Sequence, residues 1–513
     1  MKAPTLLETN NNQGSRVLPI VLMLIGILCI SVLSGIVAAF GNLYILIILL
    51  ALYGLFFILA APTAWVIWLI FLVTFLITGP ISYFLKLTQF QWLSALMSVA
   101  LLLSVLLYLL RSKTSTLPIT ISSDFFWPAI FLLLVTFSTV IDQPQFADFV
   151  NASRHYFLMW PLMMVFMFGL VRQEMVVQLW KALMIVAILQ LPMALYQYFF
   201  VSQKSTRLSP WDAVIGTFHG NIDGGGESAG MGFMLLIAML TAIALWRGGK
   251  LNGVWVALVV ATGLGTMALA EIKGVVLLLP VVIGLYYRRE FLRRPLESVI
   301  VLIVLFLLVG GLLTVYEKLH YKNTVKQTST YDRIMMQFDP ELRSSSGDEL
   351  GRVSNLGSWL DINVKSGDLQ HSLFGYGMGA TFASRIGTGE LVHRFSSQPN
   401  TSSTTILLWE TGIMGHLAFI VILLSGARTS ARAAKNESVP EIHRILLRVG
   451  TVGLLLLAVT LHYRNFHIYS NPIQFLMMLM LGQAAYWSHF VSNNLGRTDA
   501  KTIDKSQTLP ELI

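Results

Sequence analysis

MALAEIKGVVLLLP, Met267 to Pro280, sets Glu271 and Lys273 two residues apart between two almost purely apolar runs, Val254–Ala270 and Val275–Tyr287. A charge stranded at the centre of a bilayer costs about 2.5–3.5 kcal/mol or more. The pair therefore belongs where one span ends and the next begins, at a tight reversal of the chain.

The rest of the sequence supports that reading. Of 513 residues, 55% are hydrophobic and only 12% charged, with a mean hydropathy of +0.70. A soluble domain has no use for so much apolar surface. Runs long enough to cross a bilayer, roughly 17–25 residues each, recur from Val17 to Val491. The expected fold is all-α: a polytopic transmembrane helix bundle of about 14 spans. Among these are Val17–Phe40, Leu43–Ala61, Phe125–Val140, Tyr156–Leu170, Met175–Phe200 and Thr404–Leu424. Val17–Phe40 is too long for a signal peptide and lacks an A-x-A site, so it reads as a retained first span. The single cysteine, Cys29, lies inside it and excludes an intramolecular disulfide and a cysteine-based metal site.

The net charge of +9 does not point to nucleic acid, because the basic residues punctuate hydrophobic runs instead of forming a soluble face. They mark topology. One alternating set of connections holds Arg111, Lys113, Arg172, Arg247, Lys250, Arg288, Arg289, Arg293 and Arg294, then Arg428, Arg432, Lys435, Arg444 and Arg448. Both chain ends share that side. The set is expected in the cytoplasm, with both termini, residues 1–16 and 492–513, inside. The Glu271–Lys273 reversal then faces outward.

Three further blocks follow: an N-terminal bundle over residues 17–200, a core over 201–424 and C-terminal spans over 425–491. The core contains a large outer loop, residues 317–403, on the order of 85 residues, a length that usually carries function. Trp359, Leu360, Ile362, Val364, Leu373, Phe374, Tyr376 and Phe382 give it apolar content. Val353–Val364 has the pattern of an amphipathic helix lying along the membrane surface.

Four clusters fall on the outer side. Arg154-His155 sits at the mouth of a span, where a snorkelling arginine is the plain alternative. Arg207 precedes GTFHGN, Gly216 to Asn221, with His219 inside it and Gly224, Gly225 and Gly226 after it. Backbone amides in such a loop can cradle a phosphate; a flexible turn is the plain alternative. Glu271 and Lys273 either form a mutual or helix-end salt bridge that tidies the reversal or present a cation at the outer rim of a cavity, ready for an anionic headgroup. The last cluster runs from Gly351-Arg352 through Trp359 and LFGYGMG (Leu373–Gly379), past His393-Arg394, into LLWETGIMG (Leu407–Gly415). Glu410 stands out because a carboxylate inside an apolar span needs a partner, a wet cavity or a raised pKa.

The order GTFHGN, EIKG, GR…W…LFGYGMG and LLWETGIMG resembles the O-antigen ligase/O-antigen polymerase family of polytopic membrane glycosyltransferases. The likeness covers Arg207 to Gly415, about half the chain. It implies a bacterial inner-membrane enzyme of lipopolysaccharide or exopolysaccharide biosynthesis, without cofactor or metal. Its donor would be a polyprenyl-diphosphate-linked oligosaccharide, its acceptor a glycan hydroxyl, and its neighbours flippase and chain-length regulator proteins. The position of the ligase branch's histidine, counted back from Gly412 and Gly415, holds Thr401-Ser402 here, which favours polymerase over ligase. Lys273 stands where the family has an arginine, without the bidentate fork.

On this reading Arg154, Lys273, Arg352 and Arg207 are the diphosphate-binding candidates. Glu410 and His393 are the candidates for the base that takes the acceptor's proton. His219, Glu271, Trp359 and Tyr376 belong to the substrate loops, the two aromatics offering faces for sugar rings or, more plainly, a core for the loop. No Asp-x-Asp dyad marks a divalent metal. A lipid-linked oligosaccharide flippase is the rival of another class, although transporters gather charge at the bilayer midplane and are often built from inverted repeats. A scaffold with a structured outer loop is the third.

Overall fold

The computed structural model describes residues 54, 61–111, 123–202, 210–223, 225–270, 272–320, 351–383, 387–395 and 398–506, the side chains only to residue 492. The expected first two spans, Arg207 and Glu271 lie outside the described residues, and so does the side chain of Lys273. Among those described, helices carry the fold and β-pairing is confined to isolated bridges, Gly220 with Gly226 and Ala383 with Thr388. Seven helices are long and apolar enough to cross a membrane, and three shorter apolar ones accompany them.

In chain order, α1 (Thr63–Leu85) runs through a π segment at Val73–Ile77 and is followed by α2 (Gln91–Arg111) and α3 (Ser123–Asp142). The expected span Tyr156–Leu170 is not one helix but part of a broken pair, α4 (Phe146–Phe157) and α5 (Trp160–Met167). The sequence NASRHYFLMWP fits the break: Pro161 cannot donate a backbone hydrogen bond and sits in the first turn of α5, where none is needed. Then come α6 (Gln173–Tyr196), prolonged by a π segment to Val201, α7 (Ser228–Arg247) and α8 (Gly253–Leu269). The two apolar runs flanking EIKG form separate helices. Helix α8 is capped at Ala270, and α9 (Lys273–Leu277) starts the second run, continued by α10 (Leu279–Tyr286). A basic turn, α11 (Arg288–Arg293), leads into α12 (Pro295–His320).

The late segment forms α13 (Arg352–Trp359), drawn out by a π segment to Lys365, then α14 (Leu369–Phe374) and α15 (Glu390–Phe395). The helix expected over Val353–Val364 is present. Helices α16 (Ser403–Ala433), α17 (Glu441–Thr460), α18 (Phe466–Tyr469) and α19 (Asn471–Ser506) complete the chain.

Burial separates centre from rim. In α7, 89% of the apolar window is buried, against 11% in α12. Helix α7 is apolar all round and sits in the core; α12 exposes Ile303, Phe306 and Leu307, a surface fit for lipid. Helix α16 packs on α3, α17 and α19.

Candidate functional site

Polar side chains from distant parts of the sequence meet at one end of the bundle. The ends of α1, α3, α6, α8 and α17 and the starts of α7, α9, α16 and α19 all lie there, because the chain alternates direction from span to span. The Lys/Arg-rich connections lie at the other end, where Lys250 pairs with Glu441 at 2.7 Å and Arg247 lies 4.8 Å over the Tyr287 ring.

The frame of the site is a crossing of two backbones. LFGYGMG passes over α16 at a kink, where Gly412 has φ 65° inside the helix. A β-carbon on Gly412 would stand 2.3 Å from the Leu373 carbonyl, and one on Gly375 2.5 Å from Glu410 and Thr411 backbone atoms. Only glycine permits both this approach and these angles. Tyr376 N donates to Trp409 O at 2.7 Å, and Gly377 N and Met378 N donate to the Ser138 and Thr139 hydroxyls of α3.

Glu410 seals the crossing from inside. It is 1% exposed, and its Oε1 accepts from Thr381 N at 3.1 Å and from Thr381 Oγ1 at 2.6 Å. The carboxylate thus has partners within the loop instead of facing a wet cavity. Trp359 and Tyr376 are equally committed. They are 2% and 5% exposed in one core cluster with Leu391, Leu408 and Trp409. Trp359 Nε1 donates to Leu408 O at 3.0 Å, and Tyr376 Oη to Asn363 Oδ1 at 2.9 Å. Their rings build the loop's core, so the sugar-stacking expectation gives way to packing.

Two partly buried cationic groups flank this frame. In the first, the Arg154 guanidinium lies 4.8 Å over the Trp92 ring and Nη2 is 2.9 Å from His155 Nε2. His155 packs against Phe382 and Tyr469. Its pKa is depressed by burial and by Arg154 and His219, so the ring is neutral and, as acceptor at Nε2, carries its proton on Nδ1. That buried Nδ1–H has no acceptor among the described residues. His219, 2.9 Å from Ser82 Oγ, is lowered to about 4 by burial and Arg154. The GTFHGN loop reaches it on two buried glutamines of α6 and its extension. Gln197 Oε1 accepts from the amides of Ile215 and Gly216, and Gln190 Oε1 from Thr217 N. Those amides, expected to be open to a phosphate, are therefore occupied.

In the second group the Arg352 guanidinium lies 4.9 Å over the Tyr463 ring, with Arg464 and His462 in electrostatic range. A β-carbon on Gly274 would fall 2.4 Å from the same ring. The Gly274 backbone is thus packed against the platform of Arg352, one aromatic ring serving both. Burial lowers Arg154 to about 10, and burial with Arg464 lowers Arg352 to about 10. Both stay charged at neutral pH. Neither has a carboxylate partner among the described residues, an unfavourable state for a partly buried cation that an anion would relieve.

His393 lies apart from both groups, exposed on α15, and its charge acts on Asp148. Among the described residues no group of three or more His, Cys, Asp or Glu is arranged to hold a metal ion. Sequence reasoning passed over LHYRNFHIYS, Leu461 to Ser470, which supplies His462, Tyr463, Arg464 and Tyr469. Two histidines, an arginine and two tyrosines between apolar spans were the available signal. Neither models of known families nor curated proteins match this chain.

Proposed function

We propose that the chain is a membrane glycosyltransferase that joins glycan units carried on polyprenyl diphosphate at the outer face of a bacterial inner membrane, most simply as a polysaccharide polymerase. The observation that carries this reading is the pair of partly buried arginines, Arg352 and Arg154, without carboxylate partners among the described residues, at the bundle end opposite the Lys/Arg-rich connections. Short basic connections stay in the cytoplasm, so the arginine end faces outward. Counting the broken pair α4–α5, α19 and the two apolar runs before residue 62 with the seven long and three shorter apolar helices gives about 14 spans with both termini inside, and residues 317–403 are read as the large outer loop.

In the reaction the bond between the anomeric carbon and the diphosphate oxygen breaks, and its electron pair leaves with the diphosphate. The acceptor hydroxyl oxygen forms the new bond and gives up its proton to a base. Arg352, with Lys273 beside its platform, and Arg154, with the Nδ1–H of His155, stabilise the charge growing on the leaving group. Opposite unit charges about 4 Å apart are worth roughly 4 kcal/mol at an effective dielectric near 20. His393, exposed and within reach of the Asp148 charge, takes the proton; Glu410, sealed by Thr381, positions the loop.

Deleting the gene and sizing the surface polysaccharide tests the reading. Single repeat units in place of long chains support a polymerase. Free polymer no longer attached to its acceptor lipid would mark a ligase, and loss of chains with single repeats held on the cytoplasmic side a flippase.

A further inference from the structure

His371, on the second turn-forming stretch of the late loop, is held between two carboxylates that the reaction above does not use. Asp368 caps α14: its Oδ1 accepts from His371 N at 3.1 Å, and its Oδ2 lies 2.6 Å from the ring Nδ1. The ring's Nε2 lies 3.1 Å from Oδ1 of Asp142, the last residue of α3. The imidazole lies flat on Tyr376, centroids 3.9 Å apart and planes within 8°. One side chain thus ties α14 to α3 and stacks on the ring that follows LFG.

Simple proton counting makes this tie conditional. A neutral imidazole has a single N–H, so it can donate to only one of two carboxylates. The other contact would set a nitrogen lone pair against a carboxylate oxygen. Both contacts hold together only when the ring is an imidazolium or an aspartate carries the proton. We propose that Asp142, His371 and Asp368 form a proton-dependent latch that pins α14 and the start of LFGYGMG to α3. The inference is independent of any assigned reaction.

The surrounding charges agree. Asp142 and Asp368 face the ring directly, Glu390 of α15 adds negative charge near Asp142, and Arg394 adds positive charge near Asp368. Burial pulls His371 down, yet hydrogen bonds to Asp368 and Asp142 outweigh it and leave the ring above its ordinary 6.5. Burial would raise Asp368, but the same ring and the backbone N–H of His371 hold it below 3.8. For a base whose latched pKa is raised, stabilisation is complete below the ordinary value and is lost as pH rises through the raised one. The latch is therefore closed below the ordinary 6.5 and opens as pH rises through the raised value. Its acid limit lies where Asp368 protonates.

Spin labels read the latch directly. Cysteines replace Phe146 and Leu369, 80% and 73% exposed, in full-length protein with Cys29→Ser, reconstituted in nanodiscs. The distance distribution between labels is expected to be narrow near pH 6 and to broaden about twofold near pH 9, reversibly. His371→Gln cannot titrate and should show no pH response. Asp142→Asn can donate to the neutral ring's free nitrogen, so its distribution should stay narrow near pH 9. Identical wild-type distributions at both pH values, or a wild-type response retained in Asp142→Asn, overturn the latch, whether or not His371→Gln folds.

Discussion

The Arg352 guanidinium lies 4.9 Å over the ring of Tyr463, and the backbone of Gly274 presses on that same ring. One tyrosine therefore joins three segments: the start of α13, the start of α9 and the turn after α17. Cation–π contact of a desolvated arginine is worth about 2 kcal/mol, which offsets part of the cost of burying Arg352 but supplies no counter-charge. Arg352→Ala should reduce turnover on the order of 10²–10³-fold, as expected for losing roughly 4 kcal/mol of attraction to a developing anion. Arg352→Lys should recover part of it. Turnover normalised to membrane protein level checks both, and full activity in Arg352→Ala removes this residue from the site.

Gly274→Ala should destabilise the fold by about 1–3 kcal/mol, because the new methyl overlaps Tyr463. Combining it with Tyr463→Ala should restore the loss in thermal unfolding. Additive losses would mean that the two do not share this contact.

Gly412→Ala should cost more, since the residue combines φ 65° with a backbone 2.3 Å from where a β-carbon would stand. We expect loss of folded protein, read by size-exclusion in detergent. Gly284→Ala, which has open space around it, should behave as wild type.

Much of this was legible beforehand. The apolar periodicity gave the helical bundle, and the pair Glu271-Lys273 gave the break between helices at Ala270–Lys273, because charge and bilayer do not mix. The helix over Arg352–Trp359 and the convergence of EIKG with Arg352 were legible too. What stayed hidden was the use made of each side chain. Trp359 and Tyr376 could be read as sugar platforms or as the loop's core, and Glu410 as a base or a support, because a sequence shows chemistry but not burial; Thr381 and Asn363, which bond Glu410 and Tyr376, carry no motif. His371 and Asp142 were invisible as a pair, being 229 residues apart.

Glu227 offers a stability test. Burial pushes its carboxyl up to about 8, with the Ser470 hydroxyl bonded to Oε2 opposing the rise. A raised folded pKa means that the folded state keeps a proton the unfolded state has lost, so stability falls as pH rises from about 4.5 to about 8. Glu227→Gln should flatten that decline and gain on the order of 1–3 kcal/mol above pH 8. Parallel unfolding curves for wild type and variant from pH 5 to pH 9 would contradict the assignment.

Glu410→Gln and His393→Ala separate positioning from proton transfer. The amide still accepts from Thr381, so Glu410→Gln should keep turnover within about tenfold, whereas loss of a general base costs on the order of 10²–10⁴-fold. His393→Ala should show the larger loss without a change in melting temperature. The reverse pattern would exchange their roles.

The central claim is that the carboxylate-free arginines serve glycosyl transfer from a lipid diphosphate. Its most direct test incubates the purified protein in nanodiscs with radiolabelled lipid-linked repeat units extracted from a strain lacking this gene. The account predicts chains of more than one repeat on lipid, one polyprenyl diphosphate released for each new linkage, and neither with Arg352→Ala. Unextended repeats with no diphosphate released, from protein that is folded and monodisperse, would contradict it.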